Sequence, residues 1–121
     1  MNLMKKYFAI ILFVLIAISI ANAQINWQDD KSTGSKWALA CDFKNNDLTN
    51  KLTSGSSCAS TCMSSSGCTH FSWTPFNTNG NSGTCWMKQG NIKQSDAIYN
   101  GNNDMVCGII SSIYKYILMK I

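Results

Sequence analysis

Apolar and polar positions divide the chain into three unlike stretches. Met1 to Lys6 is a short basic start, and Tyr7 to Ile20 is an unbroken apolar run. Ala21-Asn22-Ala23 follows, with small residues at the two positions a signal peptidase reads. This order predicts a secretory signal peptide over residues 1–23, cleaved after Ala23. The run is too short to span a bilayer comfortably, so a retained anchor is the weaker expectation.

Beyond the leader, the pattern predicts short strands around one helix. Gln24 to Ser35 is polar and reads as a loose arm, placed at 24–36. Trp37 to Phe43 reads as a strand, Lys44-Asn45-Asn46-Asp47 as a turn, and Leu48 to Leu52 as a weakly alternating strand. Ser54-Gly55-Ser56 breaks the pattern. Ser57 to Ser64 is the one credible helix, with Cys58 and Cys62 at i and i+4 on one face. Thr69 to Thr74 alternates cleanly: Thr69, Phe71 and Trp73 point one way, His70, Ser72 and Thr74 the other. Pro75 to Gly83 is a loop containing Asn79-Gly80. Thr84 to Lys88, Ala97 to Tyr99 and Met105 to Ile110 complete the strands. The pattern therefore predicts an α+β fold, an antiparallel sheet with a helix on one face.

The last stretch, Ser111 to Ile121, crowds apolar residues around Lys115 and Lys120. It is too short to span a membrane. Packing on the domain, extension of the last strand and contact with a partner are the alternatives.

Composition narrows the function classes. The chain has 121 residues, enough for one domain, and its 45% hydrophobic content is concentrated at the two ends. A thin core between those ends needs support, and six cysteines are the candidate source. All ten basic residues are lysine and all six acidic ones are aspartate. The mild positive charge is too dispersed for a nucleic-acid footprint, so no nucleic-acid partner is expected. Without arginine there is no guanidinium fork for phosphate, sulfate or carboxylate. The abundance of Asn, Ser and Thr suits neutral polar partners such as sugars, or protein.

An exported chain with an even cysteine count predicts disulfides. Cys41, Cys58, Cys62, Cys68, Cys85 and Cys107 allow fifteen pairings, and spacing does not choose among them. Cys58, Cys62, Cys68 and His70 match no zinc spacing, so no metal is expected. Nor is any other cofactor. A single histidine and scattered aspartates make no case for a catalytic triad or a carboxylate pair, so the chain is read as no enzyme.

Cys58-x3-Cys62-x5-Cys68, then Thr69-His70-Phe71-Ser72-Trp73-Thr74, then Gly83-Thr84-Cys85-Trp86-Met87-Lys88, resembles a PAN/apple domain. Upstream, Cys41-Asp42-Phe43-Lys44-Asn45-Asn46-Asp47-Leu48 is similar to the family's early F-x-G-x-D-L segment, with Asn in place of the glycines. The likeness covers about residues 37–110. It implies a sheet of about five antiparallel strands cradling one helix. It also implies bridges Cys58–Cys85 and Cys62–Cys68, leaving Cys41 for Cys107. If Cys85 faces the helix, so does Met87, while Trp86 and Lys88 face away. His70 and Ser72 then join Trp86 and Lys88 on the far side of the sheet, and these four are the candidate ligand-binding residues. The competing expectation is that the arm, with Trp27, or the apolar tail covers Trp86. Trp37 is expected in the core.

The leader predicts a secreted, extracellular chain with no stable membrane insertion after cleavage. The family's usual role implies a recognition module with a glycan or an extracellular protein as partner; a monomer is expected. The alternative is a toxin-like, inhibitor-like or effector domain that blocks a protein, with Pro75 to Gly83 as its protruding loop.

Overall fold

In the computed structural model, residues 3–21, 24–77 and 81–121 are described. The apolar first segment forms helix α1 (Leu3–Ala21). The expected cleavage site at Asn22-Ala23 and the Asn79-Gly80 turn lie outside the described residues. The domain follows in the order β1 (Gln28–Asp30), β2 (Ser35–Leu39), β3 (Cys41–Asp42), β4 (Asp47–Thr53), α2 (Cys58–Ser64), β5 (His70–Pro75), β6 (Gly83–Lys88), β7 (Ile98–Tyr99), β8 (Val106–Ile110) and α3 (Ser112–Lys120). It is α+β, with antiparallel pairing throughout. Among the described residues no helix is long and apolar enough to cross a membrane.

The main sheet has six strands, in the order β1-β2-β8-β5-β6-β4, and a separate pair joins β3 to β7. The sixth strand comes from the segment read as a loose arm. There the Asp30 carboxylate accepts hydrogen bonds from Ser32 N (2.9 Å), Ser32 Oγ (2.6 Å) and Thr33 Oγ1 (2.8 Å). Gly34, at φ +64°, completes the turn, and β1 folds back onto β2. Polar side chains suit this edge strand, which is why its pattern reads as loop.

The strand expected over Trp37 to Phe43 is broken at Ala40, where φ is +58°. Ala40 is held there on both sides. Its N–H donates to Met105 O (2.9 Å), and its carbonyl accepts from Asn100 N (2.9 Å). The break lifts β3 out of the main sheet and over its far face. The domain therefore has three layers, with α2 on one face and β3–β7 on the other.

Each outer layer seals its own core. Under α2 lie Ala59, Phe71, Trp73, Met87 and Ile110, with the bridges Cys58–Cys85 and Cys62–Cys68. Under β3 lie Ala38, Phe43 and the bridge Cys41–Cys107, with Ile25, Trp27 and Ile92 packed against them. These are the same three pairs that the resemblance implies. Each core is small, so covalent closure supplies much of the cohesion.

The tail forms α3. Ser111 caps it, its Oγ accepting from Tyr114 N (3.3 Å). Tyr114 lies against Gly34, where an added Cβ would stand 2.5 Å from the ring. Lys115 Nζ donates to Ser65 O and Cys68 O, both at 2.7 Å. Partial burial lowers the pKa of that amine.

Candidate functional site

Three of the four residues expected on an open sheet face are buried. His70, Ser72 and Lys88 are covered, while Trp86 is half-buried. The cover is neither the tail nor Trp27 alone but β3 and the residue after it. Phe43 stacks edge-on against the His70 ring with centroids 5.1 Å apart, and its N–H donates to Ser72 Oγ (3.0 Å). Trp27 packs behind Phe43 at 6.3 Å. The four side chains do share one side of the sheet, but they do not form an accessible surface.

Their chemistry is accordingly internal. Lys88 Nζ pairs with Asp47 and donates to Asn45 O (3.2 Å), holding the turn in which Asn45 and Asn46 adopt positive φ. A buried ammonium requires such partners. His70 Nδ1 lies 2.8 Å from Thr69 Oγ1. Desolvation, reinforced by the Lys88 ammonium, lowers the His70 pKa to about 4 and keeps the ring neutral. Trp86 donates its indole N–H to Thr74 Oγ1 (3.0 Å).

An apolar cleft lies on the opposite face, at the open end of the helix layer. Strand register lines up two rows there. Trp37, Gly108, Phe71 and Met87 form one row; Leu39, Val106, Trp73 and Cys85 form the other. Helix α2 has only seven residues, tied to β6 by Cys58–Cys85. It packs over β5, β6 and β8 and leaves the β2 end of both rows open. The result is a cleft of about 550 Å³ floored by Phe71 and Trp73 and walled by Trp37, Leu39 and Val106. Two glycines make this geometry possible. A Cβ on Gly108 would stand 2.3 Å from Phe71 Cζ, and Gly55 packs on the face of Trp73, where a Cβ would lie 3.3 Å from Cε3.

The rim is polar. Asp30 stands on one side and Asn103 and Asp104 on the other, with Ser56 at the helix end. The Asp30 pKa is lowered, first by the Ser32 side-chain hydrogen bond and then by that of Thr33, so it is an ionised acceptor near neutral pH. Asn103 and Asp104 are exposed, on a loop tied by Asn102 N to Asn100 Oδ1 (2.9 Å) and Asp104 N to Asn102 Oδ1 (3.0 Å). Trp73 is anchored by its own N–H to Thr53 O (3.1 Å). The exposed part of Trp37, with carboxylate and amide acceptors at the cleft edge, can hold a ring by its flat face and read hydroxyl or amide donors around it.

Sequence reasoning assigned Trp37 to the core and found no cleft. The alternation of β2 does place Trp37 on the helix side, but only the length of α2 decides that it stays half-exposed. Among the described residues no group of three or more His, Cys, Asp or Glu side chains is placed to hold a metal ion. Every cysteine is bridged.

Residues 41–88, from β3 to the end of β6, match the family model described as PAN domain. No curated protein and no solved structure matches the chain.

Proposed function

The chain carries a PAN/apple-like domain, of a family of generally non-catalytic protein- and carbohydrate-binding modules, and from that premise we propose a secreted recognition module that binds its ligand in the Trp37 cleft. The ligand is a carbohydrate or an extracellular protein, and the cleft favours carbohydrate. One observation carries the reading: the half-buried Trp37, with exposed Leu39 beside it, walls a cleft that has Asp30, Asn103 and Asp104 at its rim. Sugar rings present apolar faces to stack and equatorial hydroxyls to donate, which this arrangement matches. The leader-like first segment and three disulfides support export, since such bridges persist in oxidising compartments.

A glycan array with the oxidised protein tests the proposal, using Trp37→Ala, the rim variant Asn103→Ala/Asp104→Ala and Trp86→Ala. Selective binding should vanish in the first two and survive in the third. Binding that depends on Trp86 instead would move the site to the other face and overturn the cleft assignment. Silence on the array, with capture of one extracellular protein lost in the rim variant, selects the protein branch. The blocking-domain alternative draws on Phe76, which is 61% exposed beside Pro75. Its test is partner binding lost in Phe76→Ser and unchanged in the rim variant.

A further inference from the structure

Helix α3, which lies outside the matched residues 41–88, presents an apolar surface that the recognition cleft does not use. Ile113, Tyr116 and Ile117 sit at i, i+3 and i+4 and are 72%, 62% and 52% exposed, with Met119 at 79%. The helix is held to the domain from its other side, by Tyr114 against Gly34 and by Lys115 on Ser65 O and Cys68 O. Those contacts fix its direction and turn the stripe outward.

We propose that α3 is a peripheral anchor that lies in the surface of a bilayer containing anionic lipid. Three features select lipid over a protein face or a second copy. First, at about 100° per residue the exposed apolar side chains from Met119 through Tyr116, Ile113 and Ile117 spread over roughly half the helix circumference, with Lys120 inside that arc at the last residue of the helix. A flat partner or a paired helix covers a narrower stripe and leaves the flanks in water, whereas an interfacial helix sinks to its sides in the acyl boundary. Second, the C-terminal end of the stripe suits an interface. Lys120 Nζ stands 5.4 Å from the Tyr116 ring centroid, a pair with apolar bodies and polar tips. Third, the charge is of one sign. Residues 105–121 contain Lys115 and Lys120 and no acid. A groove of about 650 Å³ between α3 and the loop at 90–94 adds Lys36 and Lys93 on the same side, with Ile109 and Met119 lining it. Lys36 is shared with Asp29 (2.6 Å) and the Asp96 carboxylate accepts from Lys93 N (2.9 Å), so Lys120 carries most of the attraction. A helix this short binds reversibly, and a lysine at the end of an apolar stripe is the second signal such anchors need.

The test is vesicle flotation of the oxidised protein recovered from the culture medium. Its N-terminus is read by mass spectrometry, and every variant carries the same N-terminus, so residues 3–21 contribute equally. Phosphatidylcholine vesicles with 30% phosphatidylserine are compared with phosphatidylcholine alone. The wild type should float with the anionic vesicles, at least fivefold more than Ile113→Ser/Tyr116→Ser/Ile117→Ser, and should be partly released by 0.5 M salt. Lys120→Glu should weaken binding while keeping every apolar side chain of the stripe. Trp37→Ala should float like the wild type, which separates this surface from the cleft. Circular dichroism and non-reducing electrophoresis verify that each variant is folded and bridged. Equal flotation of wild type and triple variant, or none from either, overturns the proposal. So does a wild-type dimer in light scattering that the triple variant abolishes, which would assign the stripe to a second copy.

Discussion

Mild acid should destabilise this domain through one side chain. His70 is fully buried under Phe43, with Lys88 opposite it in the β5–β6 register. Thr69 Oγ1 also lies 2.9 Å from Gly90 O. A hydroxyl has one proton; with it given to that carbonyl, Nδ1–H is the donor and Nε2 the bare lone pair. Nε2 has no hydrogen-bond partner among the described residues. Protonating it would create a buried cation, without an acceptor, near an ammonium. The folded pKa is therefore about 4, against an ordinary value of 6.5. The unfolded chain takes up the proton first as pH falls, so the stability due to the neutral ring is complete above pH 6.5 and drains away towards pH 4. At about 1.4 kcal/mol per pH unit, the loss is roughly 2 kcal/mol by pH 5 and about 3 kcal/mol by pH 4. Carboxylates confuse the lower half of that window, so the measurement stops at pH 5.

The assay is urea unfolding with the bridges intact, at pH 7, 6 and 5; guanidinium chloride is avoided because it screens Lys88. The partner variant is His70→Asn, which keeps a polar atom near the position of Nδ1 and removes the titration. It forfeits ring packing on Phe43 and should be less stable at pH 7. Between pH 7 and pH 5, however, the wild type should lose about 2 kcal/mol more than the variant. Parallel losses, within about 0.5 kcal/mol, would refute the claim that His70 is held neutral by burial.

Two further outcomes follow from packing and closure. Gly108→Ala places a methyl 2.3 Å from Phe71 Cζ and 2.9 Å from Lys36 O, so Phe71 must move. The expected cost is about 1–3 kcal/mol in urea unfolding, with weakened ligand binding because the cleft floor shifts. Replacing both Cys41 and Cys107 by serine opens the longest loop, a separation of 66 residues. Chain entropy puts the loss at about 4 kcal/mol, read as a lower urea midpoint, and faster amide exchange should be confined first to β3 and β7.

The helix side of the sheet was legible residue by residue. Cys58 and Cys62 at i and i+4 specify a helix face, and the alternation of Thr69 to Thr74 puts Phe71 and Trp73 beneath it. Both patterns are local, because they follow from helical and strand periods alone. The cysteine pairs were legible only through the family resemblance, since spacing leaves the alternatives open. The cover of the far side was not legible. It is built from β3 and β7, two residues each, and strands that short carry no period to read.

What the sequence determined by itself is therefore the α+β class, the helix, the inward aromatic residues, and the polar side chains that share the other side of the sheet. The tertiary structure decided whether those polar residues meet solvent. Ala40 turns the chain out of the main sheet, and Cys107 holds Cys41 down on it, so Phe43 closes over His70 and Ser72. On the helix side, a seven-residue helix stops short of β2 and leaves Trp37 at the mouth of a cleft. Alternation tells which way a side chain points; exposure depends on what another part of the chain lays over it, and that is set by long-range closure.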